Sequence, residues 1–172
     1  YTTPESGIRK LFQIASQSTR SAQNNHKIDP HIQISLVEKQ PDMWKVTVED
    51  NGVGYTEKTL QDLTDPSTKN ISHKQLFAAF LLCGDRGEIQ LTTKSRKTDN
   101  AYSGQIQLHS QNIEEISDKQ TEEMSYGTTM ELYVYTDVTV SQLRSWIRKH
   151  SRSTDIPITF KFQRHGSQPT TV

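Results

Sequence analysis

The residues best placed to do chemistry are Val48-Glu49-Asp50-Asn51-Gly52-Val53-Gly54-Tyr55. Asp50 ends the alternating run Trp44-Lys45-Val46-Thr47-Val48, and a helix start follows at Thr56-Glu57, so the stretch reads as strand, glycine-rich turn, helix. A carboxylate is thereby held at a strand end, beside backbone free to take unusual dihedrals and approach a flat ligand. Asn51-Gly52 after a β-run is also the commonest hairpin signal, so the residues alone favour a plain turn over a ligand pocket. Gln13, Gln17 and Arg20 form a second polar set on one side of the first amphipathic segment. By themselves they read as a solvated helix face.

Other chemistries find little support. His26, His31, His73, His109, His150 and His165 show no metal-ligand spacing, and one cysteine cannot make a thiolate zinc site. Cys83 follows Phe80-Leu81-Leu82 and reads as a buried structural thiol, which fits a reducing compartment. There is no Walker-type loop, no Gly-x-Ser-x-Gly elbow and no paired carboxylates in a credible cleft. Twenty basic residues balance twenty acidic ones, leaving no global electrostatic footprint for nucleic acid or an anionic membrane. Arg144, Arg148, Lys149 and Arg152 make a basic helix end, read as solvated rather than as a nucleic-acid contact. No apolar run approaches the ~18 residues of a membrane span, so a cytoplasmic protein is expected.

The 172 residues suit one domain able to bury roughly 70% of its extended-chain surface. Hydrophobic content is only 31% and mean hydropathy is -0.76, which implies a thin core or polar surface meant for neighbours. The start at Tyr1 and the polar end suggest a domain over 1–165 with a tail over 166–172, cut from a longer protein. Helical periodicity covers Pro4 to Ala22, followed by strands over Ile32–Leu36 and Trp44–Val48 and a short helix over Thr56–Leu63. A buried helix is expected over His73–Leu82, then strands over Glu88–Thr93 and Tyr102–His109 and an exposed acidic excursion over Gln111–Tyr126. A strand from Met130 to Val134, a helix over Val140–His150 and a strand over Ile156–Phe162 complete the chain. This order predicts an α+β fold: a mixed, mostly antiparallel sheet with helices on one face.

Motif and order together resemble the ATP-binding domain of the gyrase, heat-shock protein 90, histidine kinase and MutL (GHKL) superfamily. Asp50-Asn51-Gly52-Val53-Gly54 matches its most diagnostic box in full. Gln75–Leu82, Gly87-Glu88-Ile89 and Thr92-Thr93-Lys94-Ser95 are similar to the lid-exit helix and next strand of heat-shock protein 90 (the HtpG type). Tyr126–Leu132 and Ile147–Ser151 resemble its closing segment. The resemblance implies a Bergerat-type two-layer α/β sandwich that binds ATP or ADP. In it Asp50 accepts the adenine amino group, Gly52 and Gly54 let backbone approach the base, Tyr55 packs beside it, and Thr128 adds hydroxyl contacts.

The first-helix box departs from the family. Its general-base glutamate, magnesium-binding asparagine and following aspartate correspond here to Gln13, Gln17 and Arg20. An amide cannot take a proton at neutral pH, and Gln17 carries its carbonyl one methylene too far for a demanding octahedral ion. Arg20 could meet a phosphate directly or serve in a surface pair. The lid lacks the family's glycines, with Ala78 standing where one is expected. The expectation is a degenerate nucleotide-binding domain, regulatory or chaperone-like, with nucleotide binding weak, magnesium-independent or absent. It would act through a protein client or partner and through homodimerisation of the parent protein, not through nucleic acid or a membrane. The alternatives are an active ATPase whose base comes from elsewhere, such as Glu49, and a dimerising DNA clamp like the type VI topoisomerase B chain or MutL.

Overall fold

Thr3 starts the first helix, α1 (Pro4–His26), by a reciprocal cap. Its hydroxyl accepts the Ser6 N–H at 3.4 Å while Ser6 Oγ accepts the Thr3 N–H at 3.2 Å, and Pro4 takes a first-turn position that needs no donor. This computed structural model describes residues 3–65, 67, 76, 78–84, 87–107, 110–134 and 137–172. The helix buries Ile8, Leu11, Phe12, Ala15 and Ala22 at the expected period. It runs a turn beyond Ala22, where Asn25 Nδ2 bonds back to the Ser21 carbonyl, and Lys27 ends it in the left-handed region at φ 52°. Nothing before Lys27 breaks the ladder.

β1 (Ile32–Gln40) and β2 (Met43–Asp50) form a hairpin about Pro41-Asp42, with Asp42 at φ 62°. After Asp50 the chain enters α2 (Glu57–Thr64), capped by Thr56 and Thr59, instead of returning as a strand. The strand-turn-helix reading therefore holds over the hairpin one. β3 (Glu88–Lys94), β4 (Ala101–Gln107), β5 (Ser110–Glu115), α3 (Asp118–Glu122) and β6 (Gly127–Val134) follow, then α4 (Val140–Ser151), β7 (Ile158–Gln163) and β8 (Thr170–Thr171). Two local readings change. The acidic excursion is largely exposed and carries a short helix, as expected, but its first part is an edge strand, because Gln111 and Ile113 alternate against β4, and β8 draws part of the polar tail onto β7. Of the helix expected over His73–Leu82, Leu76 and residues 78–80 are helical and buried, while His73, Lys74, Gln75 and Phe77 lie outside the described residues.

The eight strands run β5-β4-β3-β6-β2-β1-β7-β8. Only β1 and β7 pair in parallel. The molecule is thus an α+β two-layer sandwich, a mixed, mostly antiparallel sheet with its helices packed on one face. Across that face the register aligns Phe162, Leu36, Val46, Leu132, Ile89 and Ile106 as one apolar row. At the sheet end another row reads Ile158, Ile32, Asp50, Thr128, Thr93 and Tyr102, with three polar residues at its centre. Strand pairing thus collects residues 50, 93 and 128, far apart in sequence.

Leu132 sits mid-row on a central strand and is 2% exposed. Leu132→Ala should destabilise the fold by about 2–5 kcal/mol through lost burial and a residual cavity. Urea denaturation should show a lower midpoint at unchanged slope.

Candidate functional site

The site is built on Asp50, which is 7% exposed. Its Oδ1 accepts the Gly52 N–H at 2.8 Å and the Ser18 hydroxyl at 3.1 Å, and the Thr128 backbone also bonds to the carboxyl group. Desolvation outweighs these donors and pushes the carboxyl up to about 7. Gly52 is required sterically: a Cβ there would lie 2.1 Å from Ser18 Oγ and 2.7 Å from Asp50 Oδ1. Gly54 has φ +68°, and a Cβ on it would meet the Lys94 carbonyl oxygen at 2.1 Å. The glycines therefore let the loop lie flat against α1 on one side and β3 on the other.

Side chains lock this loop in place. The Val53 N–H is shared between Ser18 Oγ (3.1 Å) and the Ser18 carbonyl (3.3 Å), while the Tyr55 N–H donates to Thr93 Oγ1 at 2.9 Å. Thr93 donates its single hydroxyl proton to the Gly127 carbonyl at 3.0 Å, so in its 2.9 Å contact with Thr128 the proton comes from Thr128. Thr128 is left with spare acceptor capacity beside Asp50. Arg96 closes the outside of the loop, with Nε on the Gly52 carbonyl (2.9 Å), Nη2 on the Asn51 carbonyl (3.0 Å) and the guanidinium over the Tyr126 ring. Asn51 is structural: Oδ1 accepts the His31 N–H and Nδ2 donates to the Asp29 carbonyl.

Two hollows flank α1. One, about 220 Å³, lies between α1 and the loop and is lined by Gln17, Ser18, Ser21, Gly54, Tyr55 and Lys97, among others. The other, about 540 Å³, lies between α1 and α4, with Arg9, Gln13, Gln17, Arg20, His150 and Thr154 in its walls. Gln17 belongs to both. Gly54, Tyr55 and Gln17 line the first hollow, Asp50 and Thr128 stay in the buried polar row with Gly52 bonded to Asp50, and Gln13 and Arg20, again with Gln17, line the second. Gln13 Oε1 is buried without a hydrogen-bond partner, and Arg20 pairs with Asp155 at 2.7 Å with both side chains largely exposed. The smaller hollow is the one joined to the buried carboxylate, through Ser18, which lines it and donates to Asp50.

Other singled-out groups are structural. Cys83 is 1% exposed and its thiol is pushed up to about 11 by burial, which suits an inert core residue. His150 is held neutral-leaning by burial, against the pull of Glu5, whose carboxylate is kept low chiefly by its bond to Lys149. Among the described residues no three His, Cys, Asp or Glu side chains are grouped to hold a metal ion, and no helix is long and apolar enough to cross a membrane. Ser18, Thr93, Arg96 and Lys97 escaped sequence reasoning. Ser18 alone had a signal, following Gln17 on the polar flank of α1. Compared with known proteins, the chain matches no family model and no curated sequence.

Asp50 binds a proton more tightly folded than unfolded, so its contribution to stability is full below its unfolded value near 3.8 and is lost as pH rises through about 7. The stability difference between wild type and Asp50→Asn should therefore fall steadily from pH 4.5 to 7 and level off above. Urea titrations at several pH values would read this difference, and a flat one would show that the carboxyl is not desolvated.

Proposed function

We propose that the chain is a degenerate nucleotide-binding domain of the heat-shock protein 90 type. It would hold the base of an adenine nucleotide between α1 and the loop after β2, without hydrolysing the phosphates. The observation that carries this reading is the buried Asp50–Thr128–Thr93 row, bonded directly to two residues that line the cleft, Ser18 and Tyr55. An ionised Asp50 and the spare lone pairs of Thr128 are adjacent acceptors, a pattern suited to an exocyclic amino group. Tyr55 and Ile14 supply the apolar walls a flat ring needs. At about 220 Å³ the cleft falls below the ~300–1,000 Å³ of sites that enclose a whole drug-sized ligand, which fits a base held inside with sugar and phosphates outside.

Magnesium does not fit the α1 face. No carboxylate lines the groove beside Gln13 and Gln17, two arginines do, and the nearby Asp155 is engaged by Arg20. Gln13 offers an amide where hydrolysis needs a base. The domain is accordingly read as a regulatory or chaperone-like module acting through the rest of its parent protein. Because a ligand amino group requires ionised Asp50, affinity should weaken as pH falls below about 7.

Titration with a fluorescent ADP analogue, with and without magnesium, tests the reading. Affinity should be indifferent to magnesium, about tenfold or more weaker for the guanine analogue, and about three- to tenfold weaker in Thr128→Ala. Asp50→Ala should abolish binding while circular dichroism reports an intact fold. Failure of any nucleotide to bind, or steady hydrolysis abolished by Asp50→Asn, would overturn it.

A further inference from the structure

The zero net charge of the chain conceals two oppositely charged faces. Along α4 the residues Arg144, Arg148 and Arg152 recur every fourth position, so they share one face, and with Ser141, Ser145 and Lys149 they line an open hollow of about 540 Å³ that contains no acidic side chain. Arg144 is held over the Phe162 ring with its guanidinium carbon 4.3 Å from the centroid, and Lys149 is taken by Glu5. Arg148 and Arg152 are exposed and form no ion pair among the described residues. Toward the opposite edge of the sheet, β5, α3 and the residue after α3 carry Glu114, Glu115, Asp118, Glu122 and Glu123, all exposed and without a salt bridge among the described residues; Lys119 is the one cation within these segments, and the Lys94 ammonium is bound to the Thr121 and Met124 carbonyls beneath them.

These faces cannot neutralise each other within one molecule. Phe162 places α4 over β7, which lies six strand positions from β5 and four from β3, whose Lys94 contacts α3. At ~4.8 Å per strand these are roughly 29 and 19 Å, beyond the ~8 Å over which salt screens charge. We propose that the chain associates head to tail with a second copy of itself, the arginine face of α4 meeting the acidic β5–α3 edge of the next molecule. A second copy satisfies both faces, whereas a nucleic acid drawn to α4 leaves the acidic edge unpaired. Each contact joins unlike faces: made once per pair it propagates as a ring or chain, and made twice, face to edge and edge to face, it closes a two-fold dimer. β5 is also a sheet edge paired only to β4, which leaves it accessible to a neighbour.

Sedimentation velocity of the 172-residue chain at about 50 mM and about 500 mM salt tests this. The weight-average sedimentation coefficient should rise with concentration at low salt and return to the monomer value at high salt. Arg148→Glu with Arg152→Glu, or Glu114→Lys with Glu122→Lys, should each weaken self-association by about tenfold or more. An equimolar mixture of the two variants should recover it, because each supplies the face the other has reversed. All four positions are exposed, and the milder Arg148→Gln with Arg152→Gln should give an intermediate loss should a reversal variant fail to fold. A chain that stays monomeric at low salt, self-association that survives either reversal, or a mixture that fails to recover would overturn the proposal. Monomers that bind single-stranded RNA through Arg148 and Arg152 would overturn it too and assign the face to nucleic acid.

Discussion

A carboxylate kept out of water at the end of a β-strand is the constraint around which this end of the molecule is arranged. Burial of Asp50 opposes its charge strongly enough to raise it to about 7 even with donors from Gly52, Ser18 and Thr128. Each donor fixes a different element. Ser18 anchors α1 to the loop, Gly52 sets the loop conformation, and Thr128 ties β6 to β2. Gly127, at φ +119°, admits the closest approach: a Cβ there would lie 1.9 Å from the Asp50 carbonyl oxygen. The apolar rows deeper in the sheet supply the rigidity that holds a locally unfavourable group in place. Natural folds tolerate such a group mainly where it has work to do.

The two sides of α1 then differ in kind. Toward the loop the helix presents Ser18 and Ser21, short hydroxyls that let backbone come near. Toward α4 it presents long side chains, Arg9, Gln13 and Arg20, over a wider and more cationic groove. Gln17 lies on the ridge between them. A nucleotide whose base enters the first hollow would pass its phosphates across this ridge into surroundings of amides and guanidiniums, where charge is met by direct contact and His150 is the one lining group able to take a proton. On the proposed reading recognition would fall to the strand ends, while the helix face offers no carboxylate for turnover.

How legible this was from sequence follows the range of the interactions. Alternation and the Asp50–Gly54 punctuation are local, and they led correctly to the hairpin, to the strand-turn-helix and to an α+β sheet with one covered face. Register is not local. Nothing in Thr92-Thr93-Lys94-Ser95 marks Thr93 as the neighbour of Thr128, because that contact exists only once β3 and β6 pair. Arg96 looked like one more polar turn residue, yet its planar fork clamps two carbonyls of the loop after β2. The 111–126 segment was read as surface because its acids dominate, although period-two alternation in Gln111 and Ile113 was enough for an edge strand.

Charge shows the same limit in another form. A pI near 7.2 excludes a global electrostatic footprint but leaves local patches open, because net charge does not say whether opposite charges are interspersed. Here the fold sorts them. α4 contains no acid at all, while β5 and α3 contain a single lysine, and the strand order sends these elements to opposite sides of one sheet. A zero sum over the whole chain therefore coexists with two separated patches of opposite sign. Over distances longer than a Debye length each patch acts as though the other were absent, so the partner each patch seeks is set by local chemistry and not by net charge.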